Sequence, residues 1–235
     1  MSRLIEGPGQ GRRSALARIA AAAGLAFGLC RSARAGSYDD FLRALRLDEV
    51  HTLRRLRQRG FDFNTVDESG QPPLLLALKL DSLLAAEFLI EQPGFSLDAV
   101  NASGENALMI AALRGHAGLL RLLIGRGAEI NKPGWTPLHY AATNPNPGSA
   151  DMVRLLIEEN AYIDAASPND TTPLMMAARY GHPDSVRALI ELGADVSLRN
   201  QQGLDARDFA LLADRRDIAD LLTRALHAKQ GPPSW

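Results

Sequence analysis

The apolar positions of the chain follow a helical spacing that stops and restarts at regular intervals. In "DTTPLMMAA" (170–178), Leu174 and Ala177 occupy one face of a predicted helix, and the small alanine lets a neighbouring helix approach closely. Thr172 suits the helix cap, and Pro173 suits the first turn because no amide donor is needed there. A short break and a second apolar run follow. The pattern predicts a repeated unit made of a helix, a tight turn, a second helix and a finger-like loop.

Residues that favour a left-handed backbone follow each second apolar run. Their spacings are 34, 33, 33 and 33 residues. Glycine adopts this conformation freely and asparagine is the next best tolerated residue, so the one departure from glycine is physically sensible. The series consists of Gly60, Gly94, Gly127, Asn160 and Gly193.

The segments that open the first helices form a second series, out of phase with the first. They are "GQPPLLLAL" (70–78), "GENALMIAA" (104–112), "GWTPLHYAA" (134–142), "DTTPLMMAA" (170–178) and "GLDARDFAL" (203–211). Breaks between paired helices occur at Gly115-His116 and Gly181-His182, and matching breaks are Leu47-Asp48, Leu80-Asp81 and Ala213-Asp214. Repetition at a fixed period is the sequence signature of a solenoid.

The fourth repeat differs from its neighbours in two loops. Its finger, from Gly127 to Gly134, is three residues shorter than the one from Gly193 to Gly203. The stretch "TNPNPGSAD" (143–151) then carries three extra residues where a neighbouring repeat has its Gly-His turn. The two changes cancel, so we expect the stacking of helices to be kept while two surface loops are reshaped.

These motifs resemble the ankyrin repeat, which has a period near 33 residues, "TPLH" at the first helix, "GH" between helices and "GAD" after the second. The resemblance implies an all-α solenoid of about six helix-turn-helix repeats with short β-hairpin or loop fingers. We assign the repeat domain to residues 38–227 and the repeats to 38–69, 70–103, 104–133, 134–169, 170–202 and 203–227, followed by a flexible tail, 228–235. The first and sixth repeats lack the usual opening motif, as expected where polar positions cap a stack.

The N-terminus has the features of an export signal. Residues 1–35 contain six Arg and one Glu, a net charge of +5, whereas residues 36–235 contain 20 basic and 26 acidic residues, a net charge of −6. An uncharged apolar stretch, 19–30, is short for a membrane span, and "SARAGS" offers a cleavage site after Ala35. We therefore expect a periplasmic or secreted chain with no membrane attachment after cleavage. An uncleaved anchor is the alternative, and the paired Arg12-Arg13 only partly matches a twin-arginine signal.

The sequence offers no catalytic or metal site. Its histidines His116, His139 and His182 stand at the repeat's own positions, where we expect the ring to bond a neighbouring turn. Matching rings in successive helix layers lie roughly 10 Å apart, too far to share a metal with ligands at about 2 Å. No phosphate loop, dinucleotide fingerprint or nucleophile elbow is present, and Cys30 is the only cysteine. We therefore predict no enzyme activity and no cofactor. We also predict no nucleic-acid binding, because residues 36–235 are acidic overall.

Two further groups of residues have a structural and a functional interpretation. The methionines Met109, Met175 and Met176 are expected in the core rather than at a ligand. The basic run formed by Arg54, Arg55, Arg57 and Arg59 is expected to be a solvated capping face, with binding to an acidic partner surface as the alternative.

Resemblance to ankyrin repeats implies that the finger tips and the exposed side of the first helices form a concave protein-binding groove. Trp135 stands out because the repeat does not require a large ring at its position, and exposed Trp, Tyr and Arg residues carry much of the binding energy of interfaces. The alternative is that its ring folds back onto the short finger and the "NPNP" loop. The predicted protein-binding residues are Trp135, Arg114, Arg179, Tyr180, Lys132, Glu105, Lys79 and Asn144.

We therefore predict a monomeric, non-catalytic protein that binds a partner of unknown identity through its concave face. Similar exported bacterial ankyrin proteins support periplasmic enzymes or stress responses, including peroxide resistance, and the resemblance implies such a role here. Three alternatives stay open, namely an immunity or inhibitor protein against a periplasmic toxin, an enzyme with an unrecognised site in the groove, and a secreted effector that binds host proteins. Fold alone does not decide between them.

Overall fold

The computed structural model describes residues 36–230. The predicted export signal, residues 1–35, and residues 231–235 of the predicted tail lie outside the described residues. The last helix ends at Gln230, so residues 228–230, which were predicted from the sequence to belong to the tail, are helical.

Twelve helices, α1 to α12, form six consecutive pairs within residues 36–230, which confirms the predicted all-α solenoid. No helix in this part of the chain is both long and apolar enough to span a lipid bilayer. The first helices of the pairs are α1 (36–46), α3 (Pro73–Lys79), α5 (Ala107–Arg114), α7 (Pro137–Thr143), α9 (Pro173–Tyr180) and α11 (Ala206–Leu212). The second helices are α2 (Val50–Gln58), α4 (Leu83–Ile90), α6 (Ala117–Gly125), α8 (Ser149–Glu158), α10 (Pro183–Glu191) and α12 (Arg216–Gln230).

The helices form two layers, and each pair contacts its neighbours along the stack. First helices pack against first helices from α3 to α11, and second helices form the outer layer. The predicted Leu-x-x-Ala spacing fills the space between the layers, because Leu138 and Ala141 are fully buried, as are Leu174 and Ala177 to within 1%. Alanine at these positions leaves room for the backbone of the next first helix.

Left-handed residues end the second helices as the sequence predicts. Asn160 has a φ of 67°, and the four glycines at the equivalent positions have φ between 70° and 98°. Helix caps follow the prediction too, because the side chains of Asn106, Thr172 and Asp205 each accept a hydrogen bond from the backbone amide three residues later. Pro72, at the equivalent position before α3, forms no such cap.

The fingers are loops rather than β-hairpins, since residues 36–230 contain no strand. Four fingers are each closed by two backbone hydrogen bonds at a tight turn, as from the amide of Asn101 to the carbonyl of Glu105 at 3.0 Å and from the amide of Gly104 to the carbonyl of Asn101 at 2.9 Å. The short finger between Gly127 and Gly134 has no equivalent bond. A hollow of about 360 Å³ opens there toward the next finger, and Lys132 and the exposed Tyr162 help to line it.

The inserted residues of the fourth repeat form a loop between α7 and α8. This loop changes the outer layer, because the backbones of α6 and α8 approach each other less closely than those of α4 and α6 or of α8 and α10. The inner layer is unaffected, since α7 packs extensively against both α5 and α9. Stacking is therefore kept on the inner side, as the cancelling length changes predict.

Candidate functional site

The inner face of the solenoid is a groove made by successive first helices. At the centre of the stack, Leu113 of α5, Tyr140 and Thr143 of α7, and Met176 of α9 converge on one pocket. Each of these helices is buried over most of its length, and the four pocket residues are among the few positions that stay at least partly exposed. Each first helix thus contributes one or two side chains to the groove, at equivalent positions in successive repeats.

Trp135 forms one wall of this pocket. Its ring centroid lies 5.2 Å from that of His139, in an edge-on arrangement with an interplanar angle of 76°. The pocket has a volume of about 270 Å³ and a mainly apolar lining that includes Leu113 and Met176. Trp135 therefore lines the groove beside the first helices, but it is half-buried there and not fully exposed as predicted.

His139 holds this wall in place from inside the fold. Its Nδ1 lies 2.9 Å from Thr136 Oγ1, and its Nε2 lies 2.9 Å from the carbonyl oxygen of Thr171 in the next repeat. Burial of the ring lowers the pKa of His139 to about 4, despite the hydrogen bond to Thr171. The neutral, fully buried ring has the structural role that was predicted from the sequence.

A polar network lies beside the pocket, on the side of the second repeat. Glu105 accepts hydrogen bonds from Lys79 Nζ at 3.3 Å, Asn101 Nδ2 at 2.7 Å and the Tyr140 hydroxyl at 3.2 Å. Burial alone raises the pKa of Glu105, but the hydrogen bonds from Asn101 and Lys79 outweigh it and lower the pKa below its ordinary value. Burial, followed by the charge of Glu105, raises the pKa of Tyr140 to about 12. Glu105 is thus ionised with its oxygens already occupied.

Two of the predicted binding cations also have partners within the fold. Arg114 forms an ion pair with Asp81 at 3.6 Å and donates a hydrogen bond to the carbonyl of Lys79. Lys132 Nζ donates to the carbonyl of Gly104 at 2.7 Å and so ties the short finger to the preceding one. These side chains shape the groove wall and keep only part of their surface for a ligand.

Arg179 and Tyr180 are the most available of the predicted residues. The Arg179 guanidinium lies 5.1 Å from the ring centroid of Tyr180, a cation–π contact, and it has no ion pair with any residue in 36–230. Tyr180 is 48% exposed. Arg179 is equivalent in the repeat to Thr143 and Leu113, so it continues the pocket row by one helix.

Asn144 was predicted as an exposed groove residue, and this prediction is wrong because the residue is fully buried. Its Nδ2 donates to the carbonyl of Ala112 at 3.2 Å, and its Oδ1 accepts from the Asn146 amide at 2.9 Å. Helix α7 ends one residue earlier than α5 or α9, and the extended backbone at Asn144 (ψ 120°) turns the side chain inward. The inserted loop thus converts an exposed repeat position into an internal clamp.

Four pocket residues were not predicted from the sequence, and they are Leu113, Tyr140, Thr143 and Met176. Met176 was assigned to the core with Met109 and Met175, but only those two are buried to within 1%. Comparison of equivalent repeat positions could have found the four, because Leu113 and Thr143 are equivalent, as are Tyr140 and Met176.

Two other histidines, His116 and His182, each stand directly before a second helix. His116 Nε2 lies 3.1 Å from Asp81 Oδ1, and His182 Nδ1 accepts a hydrogen bond from the Asp184 amide at 3.3 Å. Within residues 36–230, no group of three or more His, Cys, Asp or Glu side chains has an arrangement that could hold a metal ion.

Comparison with known proteins agrees with this architecture. The profile of the family described as ankyrin repeats (3 copies) matches overlapping segments, 41–133, 85–167, 131–200 and 163–230. Human SH3 and multiple ankyrin repeat domains protein 2 is 30% identical over 74% of this chain, and human ankyrin repeat and SOCS box protein 16 is 36% identical over 65%. The matches cover only 10% and 34% of those relatives, respectively.

Two solved bacterial structures resemble most of the solenoid. One is from the complex of a predatory endopeptidase of Bdellovibrio bacteriovorus with an immunity protein, with a TM-score of 0.67 and 28% identity over 78% of this chain and 96% of that chain. The other is an ankyrin repeat domain from Acinetobacter baumannii, with a TM-score of 0.66 and 24% identity over 79% of this chain and 96% of that chain. Because the family profile covers nearly all of residues 41–230, this chain belongs to the ankyrin repeat family.

Proposed function

We propose that this protein is an exported, non-catalytic binding protein that holds a partner protein in its inner groove. The Trp135 pocket carries this proposal. It is preformed, its lining is mainly apolar, and its volume is about 270 Å³. A pocket of that size fits one large apolar side chain of a protein ligand.

The charges around the pocket favour a ligand with an acidic group next to that side chain. Glu105 is already bonded by Lys79, Asn101 and Tyr140, whereas Arg179 has no ion pair within residues 36–230. A carboxylate placed beside the pocket would pair with Arg179 without displacing an existing contact. The ring of Tyr180 beneath the guanidinium would hold it in position.

Affinity capture of partners from envelope extract tests the groove, with quantification by mass spectrometry. We expect Trp135→Ala to weaken the specific complex by about 2 kcal/mol, roughly 30-fold, because a large ring at an interface centre is lost. Leu84→Ala is a matched control, since Leu84 is a 58% exposed apolar residue outside the groove. If Trp135→Ala retains every partner that the wild type captures, the assignment of this site is wrong.

Export and cleavage after Ala35 are part of the proposal. Intact-mass measurement of the protein recovered from the periplasmic fraction of a bacterial host should give a chain that begins at Gly36. A full-length chain in the membrane fraction would contradict cleavage and favour the anchor alternative.

The second candidate function is that of an immunity or inhibitor protein. The structural neighbour that comes from a complex with an endopeptidase favours it, because that solenoid covers 78% of this chain. A purified complex in which this protein blocks the catalytic activity of its captured partner would support this candidate. A partner that keeps or gains activity when bound would favour the supporting role instead.

A further inference from the structure

The outer face of the solenoid has a hollow at its N-terminal end, away from the groove. Its volume is about 660 Å³, and it is lined by residues of α2, by Phe88 of α4, by Glu91 and Gln92 just after α4, and by Arg126 just after α6. We call it the outer hollow. Its exposed rim includes Arg54, Arg57 and Arg126, whereas the side chains of Phe88 and Gln92 are 8% and 9% exposed and form its base.

The repeat register explains why a hollow exists at this place. Six residues before the left-handed turn, four repeats carry an arginine, and only the second repeat carries Phe88. The Phe88 ring turns inward and packs edge-on against Phe63, with centroids 5.6 Å apart. Because its side chain is directed into the core, no long side chain covers this part of the outer face. The equivalent arginines are Arg54, Arg121, Arg154 and Arg187.

The arginines of the outer hollow are not neutralised by the fold. Within residues 36–230, Arg54, Arg57 and Arg126 have no ion pair or side-chain hydrogen bond, and Glu91 lines the hollow without reaching contact distance of any of them. The C-terminal half of the same face differs. There Arg154 pairs with Glu191 at 2.6 Å, and Arg187 pairs with Asp184 at 2.5 Å.

We propose that the outer hollow is a second docking site, which binds a short acidic protein segment that carries one apolar side chain. Carboxylates pair with the unneutralised guanidinium groups, which accept planar two-point hydrogen bonding, and the apolar side chain covers Phe88. A long polyanion such as nucleic acid fits less well, because residues 36–235 carry a net charge of −6 and repel it outside the hollow. The site is independent of the groove, so a partner can occupy both faces.

Selection of random peptides against the full-length chain tests this site and does not require the partner to be identified. Phage that display 12-residue peptides are selected on the wild type and then sorted on three variants. The first is Arg54→Ala/Arg57→Ala, which removes the two rim arginines of α2. The second is Arg154→Ala/Arg187→Ala, the matched control on the same face, and the third is Trp135→Ala, which reports on the groove.

We expect one class of peptides, rich in Asp and Glu and with at least one apolar residue, that is lost only on the first variant. A synthetic peptide of this class should bind that variant about tenfold more weakly by fluorescence anisotropy, and added salt should weaken its binding to the wild type. Two outcomes would overturn the proposal. One is the lack of an acidic class that depends on Arg54 and Arg57, and the other is binding of the wild type to phosphatidylglycerol vesicles while no acidic peptide binds. Peptides that bind the groove should be lost only on Trp135→Ala. The groove proposal and the outer-hollow proposal can therefore fail independently.

Discussion

His139 joins two repeats from a position without solvent contact. Its Nε2 donates to the Thr171 carbonyl, so Nδ1 is left as an acceptor for the amide and hydroxyl of Thr136. This geometry requires the neutral ring. Protonation would replace the acceptor at Nδ1 with a donor that faces the Thr136 amide.

The neutral state of His139 makes stability depend on pH. The pKa is about 4 in the folded chain, against an ordinary value of 6.5 for histidine, so the unfolded chain binds more protons between these values. Stability from this residue is therefore complete above about pH 6.5 and is lost as pH falls toward 4, by about 3 kcal/mol in total. Urea unfolding at a series of pH values should show that His139→Asn has a smaller slope than the wild type in this window. Equal slopes would contradict the assignment.

Gly181 directly follows α9 and packs against the backbone of α7. A Cβ atom added there would stand 2.0 Å from the Ala142 carbonyl oxygen and 2.9 Å from the Ala177 Cα, both backbone atoms that cannot turn away. We expect Gly181→Ala to lower the free energy of unfolding by about 3 kcal/mol, because α7 and α9 must separate. Gly118→Ala is the control. Gly118 lies in α6 with open space around it, so alanine there should be neutral or stabilise by up to about 1 kcal/mol. A similar decrease in the free energy of unfolding for both variants would show that close packing at Gly181 is not the cause of the effect.

At the scale of elements, the loop between α7 and α8 replaces a tight turn and still holds the neighbouring repeats together. The carbonyl of Asn144 accepts a hydrogen bond from the His182 amide at 3.2 Å, while its side chain bonds to Ala112 in the opposite direction along the stack. One residue thus links the third, fourth and fifth repeats. A surface loop that only varied in length would not need this clamp.

We expect Asn144→Ala to lower the free energy of unfolding by about 2 kcal/mol, since two hydrogen bonds of a buried amide are lost. Asn146→Ala is the matched control, because its side chain is exposed in the same loop and should matter by less than about 0.5 kcal/mol. Urea unfolding of both variants measures the difference. An equal effect would mean that the loop, and not the buried amide, sets stability.

The sequence predicts elements better than it predicts individual loop residues. Helix pairs follow from periodicity, and the left-handed turn at Asn160 follows from spacing, because both depend on local backbone preference. Asn144 could not be placed this way, since its direction depends on where α7 ends and on a carbonyl of the third repeat. Comparison of repeats singled out Trp135 as a groove residue. The pocket beside it could not be predicted, because Met176 also lines it and an apolar methionine on a first helix indicates a core position.

At the scale of the whole molecule, the two layers of the solenoid differ in continuity. The inner layer is continuous from α3 to α11, whereas the outer layer is weakest between α6 and α8. Stability in a repeat stack is approximately a sum of repeat and nearest-neighbour contributions, so a weak contact is where cooperativity is lost first. Because the inner layer still joins the repeats, we expect only the second helices on the two sides of this contact to open separately.

Hydrogen exchange measured by mass spectrometry in mild denaturant tests this expectation. Amides of the second helices α4 and α6 should exchange as one group and those of α8 and α10 as another, with opening free energies that differ by about 1 kcal/mol or more. One common opening free energy for all four helices would contradict it. The outer hollow is lined by residues of α2 and by residues in or next to α4 and α6, so a ligand bound there should protect these three helices and leave α10 unchanged.

The short finger between Gly127 and Gly134 has a consequence for how a long ligand can lie in the groove. Successive repeats are near copies that stand about 10 Å apart, so a perfectly regular groove would offer several equivalent positions shifted by one repeat. The missing residues and the ring of Trp135 occur once, and they break this translational symmetry. A ligand shifted by one repeat loses its contacts with the short finger and with the Trp135 pocket at the same time. A long ligand can therefore bind the groove in one register only.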